Sequence, residues 1–475
     1  MKLFEPLDIN GMRVPNRIMV PAMVTHLCRE DGMVNDDIMA RYVGYAEGGV
    51  GLIVVEAMAI HQNKSGSLLR ISDDRFIPGL RELTGRIHAV SDSKVVPQII
   101  HFLKVARSGW RQTVDQVSDE DVALIIRQFG EAAARVREAG FDGVELHSAH
   151  AYTLSSFLSR TNPRTDAYGG ESLETRLRLI GEVMASVRRA VGPDFPVCVR
   201  FNAEEFIRKG YTVDESKWIA LRLAELGFDY LSLSVGGKFE DAQHTPGQVL
   251  FPYSGYSGER CMPDAWLPRA LNADLAAQIK AHLLAHGRHT PVAIAGKLSD
   301  PDDAERVLAE GSADIVAIAR GLLADPAWPR KVREGRREQI AQCDYCNVCK
   351  QLDGAHRPVI CTLWPQGALQ APKDDATASV AVWDDPVTLQ TGARGVTLRW
   401  KKKPGTLRYD IYRGIGEQAL QLIESTKVTN WTDHEVLGGR SYVYAVRAVL
   451  PGGRASEASA PQRVDLPHPT YTTQD

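Results

Sequence analysis

From the first residues to about position 340, short β-branched apolar runs alternate with longer stretches in which apolar residues recur at helical spacing. The runs predict strands at Ile18–Met23, Val50–Ile60, Val95–His101, Gly143–His150, Pro196–Ala203, Tyr230–Gly237, Pro291–Lys297 and Asp314–Leu322. Helical patterns lie between them, for example Asp119–Ala139 and Glu174–Val191. In REAGFDGVEL and AELGFDYLSL a glycine stands where a helix should stop. An open doubly wound sheet uses the same alternation, but eight units over roughly 320 residues favour an α/β chain of the closed (β/α)₈ kind, a TIM barrel. Such barrels place their chemistry at the C-terminal ends of the strands.

Beyond Cys361 the pattern changes. A polar stretch, QGALQAPKDDATAS, leads into short alternating runs without helices: VTLRW, RYDIYRG, NWTDHEV, SYVYAVRAVL and GGRASEAS, with Trp400, Tyr412, Tyr442 and Tyr444 where a small core wants aromatics. These runs predict a β-sandwich that resembles a fibronectin type III module. The expected organisation is a barrel over 1–340, a four-cysteine segment over 341–365, a linker over 366–379, the sandwich over 380–465 and a tail over 466–475. The sandwich speaks to fold and not to function.

With 475 residues, 44% hydrophobic and 24% charged, the chain has apolar surface for one large core and a small extra domain. A net charge of −3 and a pI near 6.5 offer nothing to a polyanion, and no long basic run points to nucleic acid or a membrane surface. The opening MKLFEPLDINGMRVPNR lacks the apolar stretch of a signal peptide, and no run approaches the roughly 20 residues of a membrane span, so the expected location is cytoplasmic. Of seven cysteines, Cys28, Cys198 and Cys261 are scattered, whereas Cys343, Cys346, Cys349 and Cys361 crowd into one segment, a ligand pattern rather than a disulfide framework.

The seventh and eighth units read VAIAGKLSDPDDAERVLAEG and ADIVAIARGLLADP. Gly296 and Arg320 fall at strand ends, where backbone amides and a helix start form a phosphate site. Lys297 is either a charge beside that phosphate or a solvated surface lysine. Gln98 and Arg200 fall at the ends of the third and fifth strands. An amide and a guanidinium there can bond a flat heterocycle and stabilise negative charge on it; the plainer alternative is an arginine paired with a structural carboxylate. In GVELHSAHAYTLSSFLSRTNPRTDAYGG, His147 and His150 end the fourth strand with Tyr152 just beyond. No third metal ligand accompanies the imidazoles. They are placed to donate hydrogen bonds to a substrate carbonyl while Tyr152 protonates the α-carbon, with buried structural roles as the alternative.

Taken together, LFEPLDINGMRVPNRIMVPAM, QIIH, GVELHSAHAYTLSSFLSRTNPRTDAYGG and GSADIVAIARGLLADP resemble the Old Yellow Enzyme family, in its NADH:flavin oxidoreductase and 2,4-dienoyl-CoA reductase branch, over roughly residues 1–365. The resemblance implies non-covalent FMN, NAD(P)H as electron donor, and one pocket that serves donor and small-molecule acceptor in turn, the acceptor being an enone or an enoyl or dienoyl thioester. By position it implies Ala22, Met23, Ala57, Gln98, Arg200, Lys297, Ala319 and Arg320, with Gly296 at the phosphate, as FMN contacts. It puts His147, His150 and Tyr152 on the substrate side. The family often has a hydroxyl or thiol where this chain has Val24, and Thr25 is the residue that would compensate.

The segment CDYCNVCKQLDGAHRPVIC lets several thiolates face one centre. In the resembled branch a similar segment, its second gap usually one residue longer, binds a 4Fe–4S cluster, so Cys343, Cys346, Cys349 and Cys361 are candidate ligands; zinc or no metal are the alternatives. That branch continues into an FAD and NAD(P)H domain, and no Gly-rich dinucleotide motif follows residue 361 here. A cluster would then be structural or would take electrons from a separate donor protein, and a homo-oligomer is compatible with either. Competing readings are an iron–sulfur flavoprotein amine dehydrogenase or demethylase, a flavin-free TIM-barrel lyase or isomerase acting on a phosphorylated substrate, and a docking protein with a vestigial barrel. His244, in the loop after the sixth strand, is expected on the surface.

Overall fold

The computed structural model describes residues 1–62, 66–104, 110–239, 241–243, 252–375, 382–392, 394–450 and 453–468. It divides into two compact units: residues 1–333 with 343–361, and residues 334–342 with those from 362 onward. The cysteine-bearing stretch thus belongs with the barrel.

In the first unit a short hairpin, β1 (Leu7–Ile9) and β2 (Met12–Val14), precedes the barrel strands β3 (Ile18–Val20), β4 (Leu52–Ala59), β5 (Lys94–Ile100), β6 (Val144–Ser148), β7 (Val197–Glu204), β8 (Leu231–Val235), β9 (Val292–Ala295) and β10 (Ile315–Ala317). All eight pair in parallel in chain order, and β10 pairs with β3 to close the barrel. The helices are α1 (Asp36–Glu47), α2 (Ile77–Val90), α3 (Asp119–Glu138), α4 (Thr153–Leu158), α5 (Leu173–Val191), α6 (Val213–Glu225), α7 (Tyr256–Cys261), α8 (Ala273–Ala285), α9 (Pro301–Ala309), α10 (Arg320–Ala324), α11 (Trp328–Arg333) and α12 (Val348–Gly354). Side-chain caps set several starts: Asn35, Ser118, Ser172 and Asp300 accept from first-turn amides of α1, α3, α5 and α9. β4 is buried at every position, as a parallel strand between helices and barrel interior must be. Inside, Met19, Leu52, Val54, Val96, Tyr230, Ala293 and Ile315 pack with Ile9, Met12 and Val14 of the hairpin, which plugs the end opposite the strand C-termini.

The eight predicted strands all occur. The first stops at Val20, where Pro21 cannot donate to the ladder. The last was expected to run to Leu322; it ends at Ala317, and α10 starts at Arg320. The run IVAIARGLL is buried except at Ala319, which is partly exposed, and so nearly continuous a buried run does not say whether it is strand or helix.

The second unit holds two antiparallel sheets. One consists of β11 (Thr388–Gly392), β12 (Gly395–Arg399) and β15 (Asn430–Asp433); the other runs in the order β14 (Gln421–Thr426), β13 (Arg408–Ile415), β16 (Ser441–Val449), β17 (Gln462–Asp465). Val396 and Leu398 of the first sheet share a core with Tyr409, Ile411, Tyr442, Tyr444 and Val446 of the second, which makes a small all-β sandwich. The amide of Leu437 donates to the Tyr442 hydroxyl at 2.8 Å, a tie typical of sandwich corners. Strands β11 and β14 escape the sequence pattern because they are edge strands with mostly exposed or half-exposed side chains. The closing strand lies at Gln462–Asp465 and not in GGRASEAS. Tyr412 is half-buried outside the core because Tyr409 and Ile411 hold the inward alternation on β13. Among the described residues no helix is long and apolar enough to cross a membrane.

Helix α1 meets the chain ahead of α11 at Gly48, where an added Cβ would lie 1.8 Å from the Pro326 carbonyl oxygen. Gly48→Ala is therefore expected to lower stability by about 2 kcal/mol or more, read as a fall in the urea midpoint. Gly44→Ala on the same helix, with nothing within 4 Å, should hold or raise it.

Candidate active site

At the end of β6 the chain turns through two successive left-handed residues, His150 (φ 60°) and Ala151 (φ 66°). Such non-glycine backbone costs about 1–3 kcal/mol per residue and persists only where surrounding packing enforces it. The turn gathers three rings: His147 lies 5.1 Å from His150 and 5.0 Å from Tyr152, between centroids. The Ala149 amide donates to His147 Nδ1 at 3.3 Å. Burial, then the Arg200 charge, holds His147 well below the usual histidine range, so the ring is neutral with its proton on Nε2, a donor. His150 bonds Ser234 Oγ through Nε2 at 2.6 Å and is likewise kept neutral by burial and by His147, Arg200 and Lys238. Burial raises the Tyr152 phenol, which stays protonated.

Beside these rings, on the neighbouring strand and in register with His147, stands Arg200 of β7. Its Nη2 donates to Ser234 Oγ at 3.3 Å, while Nε and Nη1 are buried without a partner. The plainer alternative, a structural ion pair, does not describe it. The nearby carboxylate, Glu145, is bonded instead by Gln98 Nε2 at 2.6 Å and Tyr230 Oη at 2.7 Å, and burial raises its carboxyl. Buried guanidinium N–H groups without acceptors are expensive unless a ligand completes them. Negative charge on a flat ring system would do so, and on this ground the mouth fits FMN. Ala22, Met23, Ala57, Gln98, Arg200, Gly296, Lys297, Ala319 and Arg320 line the same mouth as His147, His150 and Tyr152, around about 1290 Å³ of space open to solvent.

The turn after β9 has positive φ at Gly296 (136°) and Lys297 (51°), and a Cβ at Gly296 would fall 2.5 Å from Asn272 Nδ2. Lys297 is not a solvated surface lysine. Its Nζ donates to the carbonyls of Asp264 at 3.0 Å, Ala265 at 2.7 Å and Leu267. Arg320 donates to the Pro263 carbonyl at 2.7 Å, and both cations lie over the Tyr345 ring, at 4.6 and 4.7 Å, while the Tyr345 hydroxyl bonds Ser299 at 2.5 Å. Cys349 also lines the mouth. Cys346 is near enough to raise its thiol, and Cys349 in turn raises that of Cys343, but Cys361 bears on Tyr45 instead. Among the described residues no three His, Cys, Asp or Glu side chains gather as a metal site.

Sequence reasoning missed a second group of polar residues here. Asp353, one helical turn after Cys349 on α12, accepts from His26 Nε2 at 3.1 Å through Oδ1, and from Lys238 Nζ at 3.1 Å and Tyr253 Oη at 2.9 Å through Oδ2. Burial opposes its charge, but Lys238, His26 and Tyr253 outweigh it and hold the carboxyl well below the usual range. Lys238 directly follows β8 in SVGGK, a charge just past a strand end, which was the available signal. Val24 lines the mouth; Thr25 does not, and its hydroxyl accepts from the Leu27 amide at 3.2 Å, so it does not stand in for the missing donor. His244 lies outside the described residues.

The barrel and this mouth define a TIM-barrel chain with a flavin-fitting pocket at the C-terminal ends of its strands. More particularly, the chain belongs to the NADH:flavin oxidoreductase / NADH oxidase family, whose model matches residues 2–256 and 265–339. It is 35% identical over 367 residues to an NADH oxidase of Thermoanaerobacter brockii, covering 73% of this chain and 53% of that protein. It is 30% identical over 477 residues to a metal reductase of Desulforamulus reducens, covering 95% and 63%. The chain thus spans between half and two thirds of these relatives' lengths. Among solved structures, a 2-naphthoyl-CoA reductase in complex with 2-naphthoyl-CoA superposes with a TM-score of 0.65 at 26% identity, covering 76% of this chain and 56% of that one.

Arg200→Met should weaken FMN retention about tenfold or more, measured as flavin released on dilution and gel filtration, because the unpaired N–H donors disappear. A second expectation concerns Glu56 on β4. Its Oε2 accepts from the Thr25 amide at 3.1 Å and the Tyr42 hydroxyl at 3.2 Å, Oε1 has no partner, and burial pushes the carboxyl up to about 7. A raised folded-state value favours the protonated form, so this contribution is fully present below pH 4.5 and is lost as pH rises through 7. Urea unfolding should show wild type losing about 3 kcal/mol between pH 5 and 8 relative to Glu56→Gln.

Proposed function

We propose that this protein reduces an activated carbon–carbon double bond, with NAD(P)H as electron source and FMN as carrier. The observation that carries the reading is the placement, on adjacent strands of one mouth, of a buried Arg200 with two unpaired N–H groups and a neutral His147 with its Nε2–H free, beside a protonated Tyr152. Held against Gln98 and Arg200, FMN would supply hydride transfer between the nicotinamide and the β-carbon of the acceptor. Arg200 stabilises negative charge on the ring it faces. His147 and His150 hold the acceptor's carbonyl oxygen and draw electron density from the conjugated alkene. Tyr152 gives its phenolic proton to the α-carbon. The 2-naphthoyl-CoA of the similar structure is an unsaturated acyl thioester, a substrate of the same chemical kind.

Two competing readings lose ground. Family membership removes the flavin-free lyase or isomerase. Amine oxidation needs a partner for a substrate ammonium, whereas Lys238 puts a cation in the mouth and Asp353 is already held by three donors.

The spacing of Cys343, Cys346, Cys349 and Cys361 supports a 4Fe–4S cluster; because the thiols do not gather as placed, no step above runs through them. Anaerobically purified protein should contain four irons and four acid-labile sulfides per chain if they close on a cluster, and zinc or neither metal would overturn that assignment.

Tyr152→Phe is expected to slow reoxidation of the reduced protein by an enone or enoyl thioester about 100-fold or more, while flavin reduction by NADH or NADPH changes less than about threefold. Stopped-flow absorbance separates the two half-reactions. Equal rates of reoxidation in mutant and wild type would remove Tyr152 as proton donor.

A further inference from the structure

The substrate side of the mouth contains one full ion pair, Lys238 Nζ to Asp353 Oδ2 at 3.1 Å, with side chains only 11% and 13% exposed. Both residues line the mouth, and the backbone ties the pair to the site: Gly237 bridges His150, and the Lys238 amide points to the His150 carbonyl at 3.5 Å. Asp353 comes from α12, outside the eight barrel units. We propose that Asp353, by neutralising Lys238, makes this side of the mouth electrically neutral and selects acceptors uncharged at the reacting end, such as thioesters, esters, ketones and aldehydes, against free carboxylates and amines. The inference rests on the reduction reading above for the identity of the reacting end.

Charge selection at this mouth is a balance of desolvation against attraction. A free carboxylate must shed its water to enter a buried mouth. Among the described residues that line the mouth, Lys238 is the cation on that side, and its attraction is offset by Asp353 at hydrogen-bond distance from it; Arg111, which also bears on Tyr152, is not a lining residue and donates to the Ala151 carbonyl. Arg200 faces the flavin side, His147 and His150 are neutral, and Glu145 is covered by Gln98 and Tyr230. An ammonium must likewise shed its water and finds Asp353 already holding three donors. A neutral carbonyl asks only for hydrogen bonds, which the two histidines supply. The remaining wall suits an uncharged acceptor as well, because Val24, Phe102 and Tyr152 pack on an apolar cluster of Ala57, Leu68 and Ile100.

The test uses full-length, FMN-loaded protein and isothermal titration calorimetry with benzoate and benzamide, which share a ring and differ in charge. Wild type should bind benzamide more tightly, and Asp353→Asn, which leaves Lys238 uncompensated, should move the ratio toward benzoate about tenfold or more. Tighter benzoate binding by wild type, or a smaller shift in the variant, would overturn the proposal. Should Asp353→Asn fail to fold, Lys238→Met must move the ratio the other way and raise affinity for benzylammonium; an unchanged ratio overturns the proposal equally. Turnover of methyl cinnamate against cinnamate is read separately. Binding ratios that shift as stated while neither alkene is reduced would sink the reduction reading and leave the charge selection standing.

Discussion

Closing eight parallel strands into a barrel concentrates their C-terminal ends around one mouth, and there Arg200 is buried with two donors unpaired. A guanidinium cannot give up its charge, so it must be answered by a carboxylate or by something outside the chain. Glu145 lies within electrostatic reach but is bonded by Gln98 and Tyr230, which leaves the arginine aimed into the mouth. Ser234 then links Arg200 to His150, so the residue proposed to hold the flavin and the residue proposed to hold the substrate share a hydroxyl on β8. The strained turn at His150 and Ala151 belongs to the same arrangement, since it is what swings Tyr152 back beside His147.

The second constraint comes from beyond the barrel. The stretch from Cys343 to Cys361 packs with the barrel unit and delivers side chains to its mouth. Tyr345 covers Lys297 and Arg320, and Asp353 sits on Lys238, His26 and Tyr253. A segment whose composition points to metal binding thus shapes the pocket directly. Its tyrosine and aspartate answer buried cations, which a mouth this apolar could not otherwise tolerate.

The barrel was legible because each strand is a buried apolar run between helices whose starts are marked by Asn35, Ser118, Ser172 and Asp300. The boundary of the last strand was not, because a run buried on every side carries no period. In the sandwich, strands with an inward face were visible, whereas β11 and β14, at sheet edges, gave no alternation to read. The same split holds at the site. His147, His150, Tyr152, Gln98 and Arg200 stand out as polar residues at the ends of buried strands, and such placement can be recognised locally.

The sequence by itself determined the strand–helix repeat, the sandwich that follows it and the polar residues at the strand ends, because these depend on short-range periodicity and on residue chemistry. Only the tertiary structure decided which polar groups answer one another. That Glu145 is satisfied by Gln98 and Tyr230 and not by Arg200, that Lys297 is anchored on carbonyls 30 to 33 residues away in the chain, and that Asp353 meets Lys238 across 115 residues are long-range pairings. They are fixed by how a closed barrel and its trailing segment come together in space, for which no local pattern along the chain is a proxy.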